Sequence, residues 1–140
     1  MMLHPFSIQD IRVLKLTYSL NRNQKDKVSQ NKDRKNEFNG TINCNHQYEK
    51  KEKLLRVFLI TSIGDENNDF QISVELGGAF KFKKTPDKKM LNQLGEINCP
   101  AILFPYLREL ITDITRRGGF PPLFIPPINF VKLSKDKEKD

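Results

Sequence analysis

Apolar residues between positions 6 and 20 recur at a spacing of two, through Phe6 and Ile8, then Ile11 and Val13, then Leu16, Tyr18 and Leu20. The period predicts a strand, and its two changes of phase predict a bulge or bend, since an unbroken ladder would turn the later apolar set toward water. Residues 21–36 abandon apolar side chains, Val28 excepted, for Asn, Gln, Lys, Arg and Asp, a pattern expected of a basic polar loop. Weak alternation through Phe38, Ile42 and Cys44 suggests a short strand within residues 37–48. Leu54 to Ile63 is nearly continuous in apolar and β-branched residues, and the polar stretch Gly64 to Asp69 suits a turn, so a hairpin is expected. Its second arm places Phe70, Ile72, Val74 and Leu76 on one face and Gln71, Ser73 and Glu75 on the other. Phe80 and Phe82 keep the same parity beyond Gly77-Gly78, where a bend or a close approach is expected.

After Pro86 the period becomes helical. Met90, Leu91 and Leu94 predict one short turn closed by Gly95, and a main helix is expected to start between Pro100 and Pro105. Pro105 at the first helical position is the preferred start, because a later proline removes a backbone hydrogen bond. Tyr106, Leu107, Leu110, Ile111 and Ile114 form its apolar stripe, Arg116-Arg117 suit the negative end of the helix dipole, and Gly118-Gly119 supply a left-handed stop. Phe120 to Phe130 holds four of the eight prolines among large apolar side chains, which dictates a stiff extended strap. From Val131 one or two helical turns are expected, then a frayed polar tail over 135–140.

At 140 residues the chain has room for one domain, assigned to residues 1–134, and none for a second catalytic one. With 37% hydrophobic and 29% charged residues the composition is that of a soluble globular protein, and with neither an apolar run of membrane-spanning length nor the features of a signal peptide a cytoplasmic protein is expected. The formal net charge of +7 raises the question of an acidic partner. Arg22, Lys25, Lys27, Lys32, Arg34 and Lys35 offer phosphate contacts, yet they alternate with Asn and Gln and not with aromatic rings, so a solvated loop is preferred to a nucleic-acid interface. Two cysteines, Cys44 and Cys99, and two histidines, His4 and His46, supply neither a CxxC pair nor a four-ligand zinc site, and buried thiols are expected. No acid/base spacing points to an enzyme, and no cofactor or metal is expected.

Several literal strings resemble the SecB family of export chaperones. The opening Phe6-Ser7-Ile8-Gln9 with Ile11 is similar to that family's first strand, and Phe70 to Phe80 with Gly77-Gly78-Ala79-Phe80 to its fourth. More specific are Cys99-Pro100-Ala101-Ile102-Leu103-Phe104-Pro105-Tyr106-Leu107-Arg108-Glu109, Arg117-Gly118-Gly119-Phe120-Pro121 and Pro127-Ile128-Asn129-Phe130, whereas residues 21–50 depart from the pattern. The resemblance implies an α+β protomer with a four-stranded antiparallel sheet, a long helix and a short C-terminal helix, assembled as a dimer of dimers.

It also implies a chaperone that holds unfolded preproteins in apolar grooves, for which Phe38, Phe80, Phe82, Phe120, Leu123, Phe124 and Ile125 are candidates. The helical stripe Tyr106, Leu107, Leu110, Ile111 and Ile114 becomes the candidate core and oligomer interface of a homotetramer. One departure bears on partners: the carboxylates with which family members dock the motor protein SecA fall at Lys15, Ser19 and Ser73, none of them acidic. A lysine in place of an anion reverses the contact, which favours a client-dedicated chaperone, such as those guarding an antitoxin, over delivery to SecA.

Overall fold

The computed structural model describes residues 6–21 and 40–139, and of the basic loop read over residues 21–36 all but Asn21 lies outside them, as does Phe38. Four strands, β1 (Phe6–Leu20), β2 (Gly40–Glu49), β3 (Leu54–Ile63) and β4 (Phe70–Phe82), form one antiparallel sheet in the order β1-β4-β3-β2. Both phase changes of β1 are bulges. The ladder against β4 skips a residue between Ile8 and Asp10 and again between Val13 and Lys15, leaving Gln9 and Leu14 as the extra residues. The bulged Leu14 is what Gly77 makes room for, since a Cβ there would stand 2.8 Å from Leu14 Cδ1. Gly78 clears the opposite face, where a Cβ would stand 2.8 Å from Leu103 Cδ2 of the covering helix. The glycine pair is therefore a two-sided clearance in a strand that continues without a break.

Strand β3 buries alternate residues, Leu55, Val57, Leu59, Thr61 and Ile63. It reads as continuously apolar because Phe58 and Ile60 lie half-buried on the other face. With Ile72, Val74, Leu76 and Phe80 of β4 these residues make a floor, on which Leu103, Leu107 and Ile111 of one helix close the core. Each such side chain, fully buried, contributes about 1.5–3 kcal/mol of transfer free energy.

The helix is longer than its expected start allows. Lys88 to Arg117 is one helical run made of α1 (Lys88–Gln93), a π turn (Leu94–Asn98) and α2 (Cys99–Arg117). Asp87 caps its start, accepting from the Met90 N–H at 2.7 Å. Gly95 does not close it: that residue is buried in the π turn against the His46 ring, where a Cβ would collide. Pro100 has no N–H for the Glu96 carbonyl four residues back; the helix widens there into the π turn, and the Cys44 thiol comes within 4.0 Å of that oxygen. Pro105 lies inside α2 and not at its first position, and the carbonyl it leaves unbonded belongs to Ala101 on the exposed face, within reach of water. Gly118 still has helical angles, and Gly119, at φ 88°, makes the left-handed stop.

Residues 120–129 belong to no helix or strand, and α3 (Phe130–Lys139) follows, taking in residues 135–139 that the composition reads as a tail. It is tied back by Phe130 against Phe104 (ring centroids 5.9 Å apart), by Ser134 Oγ donating to Glu96 Oε2 at 2.6 Å, and by Lys137 Nζ donating to the Cys44 carbonyl.

Candidate functional site

Along the β1 edge of the sheet, strand and helix leave an open groove of about 760 Å³. Ile11, Arg12 and Val13 of β1 form one side, Leu76 of β4 contributes to the floor, Pro105, Tyr106, Glu109, Leu110 and Thr112 of α2 form the other side, and Pro122 and Phe124 of the strap close one wall. Such a volume accommodates several side chains of an extended guest. Val13 faces it because the first bulge of β1 rephases the strand; without that shift its side chain would point away.

The charges around the groove are largely spoken for. Asp113 accepts from Arg116 Nη2 at 2.8 Å and from Arg117 Nε at 2.9 Å, and these two guanidinium groups hold its carboxyl below the usual carboxylate range. Arg108 lies over the Phe104 ring, 5.6 Å from its centroid, and Arg12 pairs with Asp10. What remains facing inward is mainly apolar and aromatic surface, with half of Tyr106 exposed.

The strap owes its pose to two threonines. The Leu123 N–H donates to Thr115 Oγ1 at 3.0 Å, and Thr112 Oγ1 donates to the Leu123 carbonyl at 3.0 Å. With Leu123 held on both sides of its Cα and prolines on both sides of the segment, alternation sends Leu123 and Ile125 into the core and leaves Phe124 69% exposed. Its neighbour Phe120 is half-buried, its ring 4.8 Å from that of Phe70.

Of the residues expected to line a groove, Phe124 does so. Phe80, Phe82, Leu123 and Ile125 do not, being buried core, for the sheet's inward parity and the strap's alternation turn them inside. Leu107 and Ile111, expected at an oligomer interface, are likewise wholly buried within the protomer, because that part of the stripe seats the helix on the sheet. Tyr106 and Leu110 line the groove, and Ile114 is half-buried. Ile11, Val13, Thr112 and Pro122 escape sequence reasoning; the phase break in β1 is the signal that marks Val13. Lys15 and Ser19 stand exposed and Ser73 partly so on the open part of the sheet, with Lys15 opposite Glu75 in the ladder.

Both cysteines are buried and free. Burial pushes the Cys99 thiol up to about 12 and raises that of Cys44, the second partly offset by the nearby Lys137. Among the described residues no three His, Cys, Asp or Glu side chains converge on a metal position, and no helix is long and apolar enough to cross a membrane.

Residues 4–140 match the family model of the preprotein translocase subunit SecB. The protein-export protein SecB of Bartonella bacilliformis is 46% identical over 71 residues, which are 49% of this chain and 44% of that one. The same-named protein of a Chelativorans species is 41% identical over 80 residues, 56% and 47% of the two chains, so each match spans just under half of the relative's length. Among solved structures, a Mycobacterium tuberculosis SecB-like chaperone in complex with a ChAD peptide from the HigA1 antitoxin shares the fold, with a TM-score of 0.61 at 17% identity over 89% of this chain and 91% of that one. A matching family model over nearly the whole chain, on a four-stranded antiparallel sheet backed by one long helix, makes this chain a member of the preprotein translocase subunit SecB family.

Proposed function

We propose that this protein is a holdase: it binds unfolded polypeptides through apolar side chains laid along the groove between β1, α2 and the strap, and keeps preproteins extended for export from the cytoplasm. The exposed Phe124 at the groove, next to the hydrogen-bonded Leu123, is the observation that carries this reading. Burying one guest Leu or Phe stabilises the complex by about 1.5–3 kcal/mol before ordering costs, so several shallow sites in series hold a long client without reading its sequence. Such binding calls on no cofactor, metal or catalytic group. Association into a homotetramer extends the groove from one protomer to the next. In support, β1 is an edge strand that leaves Ile8, Val13, Leu14, Leu16 and Leu20 each more than 40% exposed.

The test is suppression of aggregation of a chemically unfolded reporter at ~0.3 M salt, where phosphate-type contacts are weak. Retained suppression is expected; activity that vanishes with salt would instead favour electrostatic binding through the lysine-rich residues.

A chaperone dedicated to one client is the second reading, and the open sheet face favours it. Lys15, Ser19 and Ser73 put no anion at the positions through which the family resemblance implies SecA docking. Titration with SecA is then expected to give no saturable complex, and tight binding abolished by a substitution at Lys15 would reject this second reading.

A further inference from the structure

We propose that Thr112 is a positioning residue for the groove: its hydroxyl holds the Leu123 carbonyl so that Phe124 stands out as a preformed wall. The inference rests on the holdase reading. Phe124 is 69% exposed, so little packing of its own keeps its ring in place, and the favourable move for such a ring is to fold onto the apolar groove floor beside it, where it would occupy the guest's site.

The backbone prevents that collapse. The two peptide groups flanking the Leu123 Cα are each held, the N–H by Thr115 and the carbonyl by Thr112, from successive turns of α2. The second of these peptides ends at the Phe124 N–H, and Pro126 beyond Ile125 has its φ fixed by its ring. The two threonines are not equivalent. Thr115 is fully buried and its hydroxyl also lies 3.0 Å from the Ile111 and Thr112 carbonyls, so it belongs to the fold. Thr112 is partly exposed at the groove, and its bond to Leu123 is the one placed between the strap and the space a guest enters. Loss of that bond frees the strap on the groove side alone, leaving the core contacts of Leu123 and Ile125 in place.

Thr112→Val keeps the shape and removes the donor, whereas Thr112→Ser keeps the donor. The probe is a fluorescently labelled, reduced and carboxymethylated polypeptide that stays unfolded. Thr112→Val is expected to weaken its binding roughly three- to tenfold, the range of one lost hydrogen bond, with helix content unchanged, and Thr112→Ser to restore it. A second readout does not depend on the guest. The chain has no tryptophan, so Phe124→Trp introduces a single indole at the wall, and its emission is expected to shift to shorter wavelength when Thr112→Val is added, as the indole leaves water for the groove floor. Unchanged binding and unchanged emission in the Thr112→Val proteins, with Phe124→Ala still weakening the guest, would overturn the positioning role and leave the holdase reading intact. A guest that binds neither the unaltered protein nor any variant would overturn the holdase reading itself.

Discussion

Phe124 and Cys99 mark the two extremes of side-chain environment, and each has a measurable consequence. Cys99 is wholly buried with its thiol pushed up to about 12 from an ordinary 9.0, because burial opposes the thiolate. A group whose folded-state value is raised holds its proton in the folded chain while the unfolded chain gives it up, so its contribution is complete below about pH 9 and is lost as pH rises toward 12. Denaturation profiles are expected to show stability falling across that window, with a shallower fall in Cys99→Ala; equal slopes for the two proteins would contradict the assignment. A thiol reagent at pH 8 is expected to leave Cys99 unmodified until the chain is unfolded. Glycines give a second residue-level contrast. Gly119 has φ 88° and nothing nearby for a Cβ to meet, so Gly119→Ala is expected to cost about 1 kcal/mol from backbone strain alone. Gly78→Ala meets Leu103 in the core, and overpacking there is expected to cost about 1–3 kcal/mol by urea denaturation.

At the scale of elements, the strands were legible because a sheet with one covered face imposes a period of two, and even the bulges at Gln9 and Leu14 are written as changes of phase. The helix was legible as a helix but not in its extent. Prolines signal a boundary only when the hydrogen bond they remove has no other remedy, and here the remedies are tertiary or solvent: a π turn and the Cys44 thiol for Pro100, water on an exposed face for Pro105. Pro105→Ala, which returns a donor for the Ala101 carbonyl, is expected to stabilise the protein by roughly 1 kcal/mol or more, seen as a rise in Tm. No change or a lower Tm would mean that the ring itself is packed usefully against the groove. Groove residues were the least legible part. Phe80 and Phe124 are the same residue type in apolar surroundings, and what separates them is the side of the backbone each occupies, which in the strap depends on the Thr112 and Thr115 hydroxyls and not on any local pattern.

For the whole molecule, one sheet face is spent on the protomer's own core, while the β1 edge, with its row of exposed apolar side chains, and the adjoining groove remain open. An apolar edge of that extent is protected when a second copy covers part of it, so native mass spectrometry at micromolar concentration is expected to show a tetramer, and a stable monomer would contradict the assembly proposed above. Covering the outer part of β1 while sparing the groove leaves a particle with apolar surface reserved for guests. The most direct measurement of that idea is hydrogen exchange of the intact protein with and without a saturating, permanently unfolded polypeptide. Slowed exchange is expected at the amides of Ile11 to Val13 and of Phe124, with the exposed sheet residues around Ser62 unchanged. No protection at the groove, or protection confined to the open sheet face, would contradict it.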